Sequence, residues 1–316
     1  MTSPKRPIET EQTALPFSGL ALLICLTIVW GLNWPVMKTV LAEVPVWWFR
    51  SSCVIVGGLG LLLVTAMAGA RIFPSRHEIP AMLFCAIFSI IGWHLCTAYG
   101  LSLMPAGRAS IIAYTMPLWA ALFGSLILGE RLTWSKFIGQ FFGLAGLIVL
   151  IGPDFLVFQT APLGAMFMLA AALSWGLGMV LFKRTNWSTP VSATVGWQLL
   201  AGGIPITIGA ILIQEPPNLE ALQATTWAGL LFVFALPMIF GQWAFYKIVN
   251  MFPASVAAMS TLAVPVIGVY SSALILNEVV TLNDVLALGL ICIALFAVLV
   301  VPALRSTSAW REKRNS

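Results

Sequence analysis

Trp30, Asn33, Trp34 and Pro35 stand close together in one long apolar stretch. Asn33 is an amide in hydrocarbon, able both to donate to a carboxylate and to accept from an ammonium. Pro35 removes a backbone donor, and the carbonyl it frees is tolerated where it lines a cavity. Trp30 and Trp34 are four residues apart and share one helical face. His94, between Trp93 and Tyr99, is the histidine that falls inside an apolar run, whereas His77 lies in a basic segment. Burying an ionisable group is costly, so His94 marks a functional position that can bind a carboxylate or carry a proton. Tyr114 and Thr115 precede Pro117, and Ser260 and Thr261 precede Pro265. Ser174, Trp175 and Met179 form another group, as do Gln242, Trp243 and Tyr246. The common pattern is aromatic and sulfur surface interrupted by neutral hydrogen-bonding groups. Such a surface holds an apolar side chain and an ammonium together, at about 0.5–2 kcal/mol per cation–π contact. It binds; nothing in it is a nucleophile–base set or a metal cluster.

Each of these residues also has a plainer reading. Asn33 can bond a neighbouring helix, and Trp30 and Trp34 can belong to an interfacial belt. A neutral His94 can rest on a backbone carbonyl, and an isolated Trp or Tyr can simply pack. Lys38, Arg50 and Arg108 are placed near outer helix ends, which weakens a phosphorylated cargo. Glu130 and Glu278 each end a span just before a threonine and read as caps and loop anchors. Gly57-Gly58 and Gly202-Gly203 read as close helix contacts.

The elements that position these residues must sit in lipid. Sixty per cent of the chain is hydrophobic and nine per cent charged, with mean hydropathy +0.98. A soluble domain carries about 25% charged residues. A span needs about 20 apolar residues, which gives ten helices near 17–38, 46–67, 79–101, 107–128, 135–152, 162–183, 192–213, 226–249, 255–276 and 283–303. The apolar start after Lys5-Arg6 lacks a cleavage site and reads as the retained first helix. With the N-terminus inside, thirteen of the sixteen Lys and Arg residues are cytoplasmic, as are both termini. The tails 1–16 and 304–316 are polar. The net charge of +5 reflects basic loops facing an anionic leaflet, and no nucleic-acid motif accompanies it. Cys25, Cys53, Cys85, Cys96 and Cys292 are expected to be buried and reduced, with no disulfide and no metal.

The chain contains its organising unit twice. Met104–Thr133 recurs 148 positions later as Phe252–Thr281, with Pro105, Pro117 and Glu130 returning as Pro253, Pro265 and Glu278. At a shift of 145, Trp30-Gly31-Leu32 returns as Trp175-Gly176-Leu177, and Lys38 as Lys183. His94 has Gln242 as its counterpart. Five spans per copy is odd, so the second half, 162–303, enters the membrane opposite to the first, 17–152. Inverted halves of this kind hold a ligand near the midplane and rock around it.

Trp-Gly-x-Asn in the first helix, and Pro-x11-Pro-x10-Leu-Gly-Glu across the fourth, resemble the drug/metabolite transporter superfamily. The chain is most similar to its EamA-type branch and to the YddG-type amino-acid exporters. The resemblance implies an all-α plasma-membrane exporter whose cavity is lined by helices 1, 3, 4, 6, 8 and 9. Small four-helix relatives use a glutamate in helix 1, but Phe17–Met37 holds no acid here, so that mechanism does not carry over. The expectation is an inner-membrane exporter of aromatic and other apolar amino acids, acting as a monomer without cofactor. Substrate contacts are expected from Trp30, Asn33, Trp34, His94, Tyr99, Tyr114, Trp175, Met179, Gln242, Trp243, Tyr246 and Ser260, with Pro35, Pro117 and Pro265 as hinges. Small drugs, phosphorylated metabolites, a membrane-embedded enzyme and a scaffold are the alternatives.

Overall fold

The computed structural model describes residues 17–130, 133–156, 162–251, 254–297 and 301, but not the side chains of 17–18, 151–156, 162, 246, 249–251 and 254–262. The helices are α1 (Phe17–Leu41), α2 (Val46–Met67), α3 (Ile79–Ala86), α4 (Trp93–Leu103), α5 (Ala106–Ala113), α6 (Met116–Leu128), α7 (Trp134–Leu156), α8 (Pro162–Arg184), α9 (Val191–Ile213), α10 (Ala224–Val233), α11 (Gln242–Met251), α12 (Ala254–Leu276) and α13 (Leu282–Leu295). No strand occurs among the described residues. Pro45, Pro105 and Pro190 stand just before α2, α5 and α9, where a missing N–H leaves no gap in the helical ladder. A capping box, with Thr281 and Asp284 bonding reciprocally, starts α13.

Among the described residues, seven segments are long and apolar enough to cross a membrane: Gly19–Leu41, Val46–Met67, Arg76–Leu103, Ala106–Leu128, Leu163–Arg184, Val191–Ile213 and Ala224–Phe245. Trp134–Leu150, Ala263–Leu276 and Leu282–Leu295 are shorter apolar helices. The protein is a multi-pass membrane protein. Its exposed surface carries Leu63, Phe137, Phe141, Ile211 and Leu212, as lipid-facing helices do. This also corrects one expectation: Cys53 and Cys85 are buried, but Cys25 is exposed, and Cys96 and Cys292 are half-buried. In a bilayer a small apolar thiol has no need of the interior.

Packing follows the duplication. α2 lies along α9 and α7 along α13, each pair being counterparts in the two halves. The crossed pairs α1–α12 and α6–α8 are likewise counterparts of one another. Gly58 faces the Gly196 carbonyl and Leu200, and Gly203 faces Val54 and Ile55, so the glycine pairs do let α2 and α9 approach closely.

Candidate functional site

Two of the rods change pitch where the site residues begin. Ile87–Gly92, between α3 and α4, is a π-helical turn, and so is Phe234–Gly241, between α10 and α11. His94 and Gln242 follow these turns at repeat-equivalent positions. A π turn shifts the helical register and leaves carbonyls poorly paired, which is why such turns concentrate at functional sites. Ser174 of α8 donates to the Phe88 carbonyl at 2.9 Å, taking up one such group. α8 lies against the first turn because two glycines permit it. A Cβ on Gly92 would meet Ser174 Oγ, and one on Gly178 would come within 2.9 Å of the Ser89 backbone nitrogen. Gly178→Ala is therefore expected to destabilise the protein by about 1–3 kcal/mol, because backbone cannot yield as a side-chain tip does. A melting point unchanged in detergent would refute this.

The indoles meet one another across helices. Trp34 is 4% exposed and edge-on to Tyr114, with ring centroids 6.4 Å apart. Its Cδ1 lies close to where a side chain on Gly268 of α12 would project. That burial excludes the interfacial-belt reading for Trp34. Trp30 points elsewhere, packing on Phe245 at 5.6 Å and over Gly241. Trp93 and Trp175 lie 6.3 Å apart, bringing α4 and α8 together. Asn33 is half-buried; its Nδ2 donates to Met37 Sδ at 3.4 Å, and its buried Oδ1 has no partner among the described residues. His94 is buried, and its Nδ1 also has no partner among them. Unused hydrogen-bonding capacity of this kind suits a polar ligand.

Other expected site residues are otherwise engaged. Tyr99 OH accepts from Trp47 Nε1 at 2.7 Å and its ring stacks on Phe167 at 5.3 Å, bracing α2, α4 and α8. Gln242 is half-buried. Trp243 packs on Phe240 and carries Lys247 Nζ 4.9 Å from its ring centre. Met179 is 38% exposed on α8. The side chains of Tyr246 and Ser260 lie outside the described residues. The prolines differ between halves. Pro117 opens α6 after a break at Tyr114–Thr115, whereas its counterpart Pro265 lies inside continuous α12, and Pro35 lies inside continuous α1.

Arg50 and Lys38 correct the expectation of surface cations. Arg50 is 3% exposed; its Nη2 donates to Thr97 Oγ1 at 2.9 Å, its Cζ lies 4.9 Å from the Phe49 ring centre, and its Nε has no partner among the described residues. It stands one turn into α2 and faces α4, so its side chain runs inward instead of snorkelling to the headgroups. Thr97 and His94 share one turn of α4, so a guanidinium and an imidazole mark the same segment. Lys38 turns to the carbonyl end of α4, and Arg108 pairs with the buried Asp284 at 2.7 Å. A helix capped from within the protein offers these cations better partners than water at the interface. Among the described residues no cluster of three metal-ligating side chains occurs.

A duplicated helical membrane bundle, with helix breaks and unsatisfied polar groups set among indoles, is the architecture of a transporter. The chain belongs to the EamA-like transporter family, whose model matches twice, over residues 17–152 and 162–300. It is 31% identical to a Bacillus subtilis protein described as "Uncharacterized transporter YvbV", over 88% of this chain and 90% of that one. It is 27% identical to a "Probable amino-acid metabolite efflux pump" of Salmonella typhimurium, over 83% and 87% of the two chains. A solved crystal structure, 21% identical, shares the fold with a TM-score of 0.65, covering 91% of this chain and 98% of the other.

Proposed function

We propose that the protein exports amino acids with aromatic or other apolar side chains across the cell inner membrane. It does so as a monomer and without a cofactor, by alternating access between two inverted five-helix halves. Ten spans and cytoplasmic termini follow from the repeat and from the distribution of Lys and Arg. The observation that supports this cargo is two polar atoms without a partner among the described residues, Asn33 Oδ1 and His94 Nδ1, in helices that carry Trp34, Tyr114, Trp93 and Trp175. They offer hydrogen bonds to a zwitterion, and the rings offer surface to its side chain. The efflux-pump description of the Salmonella relative supports the same reading. Binding chemistry without a nucleophile–base set supports a transporter over an enzyme.

Buried Arg50 favours a second reading, an anionic cargo such as a phosphorylated metabolite. Counterflow of labelled amino acids in proteoliposomes at equal pH distinguishes the two. Saturable exchange competed by other apolar amino acids is the expected result, and it would need no proton gradient. Silence with amino acids and a signal with phosphorylated metabolites would overturn the cargo. In the same assay, Trp175→Ala is expected to reduce exchange about tenfold with expression preserved, because an aromatic binding surface is removed. Unchanged kinetics would remove Trp175 from the site.

A further inference from the structure

Glu130 and Glu278 occupy equivalent positions, and each reaches from its own half into the other, but to different partners. Glu278 accepts from the backbone nitrogens of Ala106 at 2.6 Å and Gly107 at 2.9 Å, the first turn of α5. Lys38 donates to the carbonyls of Leu101 at 2.7 Å and Met104 at 2.9 Å, at the end of α4. A carboxylate on a helix N-terminus and an ammonium on a helix C-terminus are each the favourable sign, so the pair clamps both sides of the α4–α5 break. The duplicate pair does something else. Lys183 binds Glu130 directly at 2.6 Å, and Lys136 takes its other oxygen at 2.8 Å. Those lysines hold the Glu130 carboxyl down at about 2, so it stays charged at physiological pH.

The turns that lead into the two glutamates are alike. Gly129 and Asn277, one residue before each, both adopt the left-handed conformation, with φ 66° and 54°. Each ends its helix alike and turns its glutamate off the helix axis. What differs is the surrounding bundle, broken at Tyr114–Thr115 in the first half and continuous through Pro265 in the second. The surroundings of the glutamates are not identical, since Lys136, which holds one Glu130 oxygen, has Asp284 as its counterpart; but both glutamates and the lysines at 38 and 183 recur, and their unequal pairings fit a second arrangement with the roles exchanged.

Resting on the alternating-access reading, we propose that Glu278–Lys38 and Glu130–Lys183 are alternately engaged latches. Each closes its face of the bundle when its glutamate caps the helix after the break, and releases that face when the glutamate pairs with lysine. The structure has the Glu278 latch engaged and the Glu130 latch released. On exchange, Glu130 would leave Lys183 for the first turn of α12, at Ala254 and Ser255, the counterparts of Ala106 and Gly107.

Two reporter cysteines, in a background lacking the five native ones, test this in detergent without substrate. Val269→Cys lies at the cleft lined by Pro105, Gly107, Arg108 and Glu278, and Ala121→Cys is its counterpart, one turn before Gly124, which faces the Glu130 carboxylate; both positions are buried. Maleimide labelling rates are then compared. Glu278→Gln is expected to raise labelling at 269 about fivefold and lower it at 121, the effect of losing one helix cap. Glu130→Gln is expected to do the reverse, because the second face can no longer close. Glu278→Asp should fall between wild type and Glu278→Gln. Lys38→Gln weakens the same latch from its other end and carries the same expectation if Glu278→Gln does not fold. Equal shifts in both variants, or none in proteins with wild-type melting points, overturn the proposal. Silence of the wild type in counterflow, with opposite-signed labelling intact, would overturn the cargo alone.

Discussion

Trp34→Ala is expected to lower the melting point of the purified protein more than any other single aromatic truncation at the site, and to abolish exchange with it. Trp34 is 4% exposed, edge-on to Tyr114, and packed where α1, α5 and α12 meet. Truncating a buried Trp removes a large apolar volume that rigid helices cannot refill, at about 3–5 kcal/mol. Tyr114 would also lose its ring partner, worth about 0.5–1.5 kcal/mol within that total. Trp34→Phe separates packing from binding. If stability returns and exchange does not, the indole contacts cargo; if both return, Trp34 serves the bundle. A melting point within a degree or so of wild type for Trp34→Ala would contradict the packing described for α1.

The second large effect concerns Arg50, and the direction is counter-intuitive. Thr97→Val is expected to destabilise the protein more than Arg50→Met. Thr97 Oγ1 is 2.9 Å from the buried guanidinium, and Arg50 Nε already lacks a partner among the described residues. Removing the hydroxyl leaves a buried charge still less satisfied, at about 2 kcal/mol, between the usual value for an interhelical bond in lipid and that for a bond to a charge. Arg50→Met removes the charge and retains an unbranched side chain, a replacement that is often neutral or stabilising. Thermal unfolding of both variants ranks them. Counterflow with Arg50→Met then shows whether the charge is retained for transport: a stable but inactive variant ties Arg50 to cargo, and a stable, active one makes it a helix anchor. The reverse order of stability would mean that Arg50 has stronger partners than Thr97.

Much of the architecture was legible in the chain because its signals are local or repeated. Apolar runs of membrane length mark the helices, and prolines at 45, 105 and 190 mark where three of them begin. The recurrence of Pro105, Pro117 and Glu130 as Pro253, Pro265 and Glu278 shows two copies without any knowledge of contacts. The site was legible only as a set of residue types. Trp34 does meet Tyr114 and Trp93 does meet Trp175, but Tyr99 is committed to Trp47 and Phe167, a pairing between distant helices that no spacing announces. Arg50 was misplaced because sequence position gives depth along a helix but not the direction in which a long side chain turns.

Composition and repetition set the class, a duplicated, lipid-solvated helical chain, because both are properties of the residues in order. How the two copies differ in arrangement emerges from their packing. The π turns before His94 and Gln242, the break at Tyr114–Thr115 without a counterpart at Pro265, and the unequal partners of Glu130 and Glu278 all depend on which helix lies alongside. Part of that difference is in the residues, since Lys136 of the first copy is Asp284 in the second; the rest arises from packing, because the helix that lies alongside sets which partners a side chain can reach.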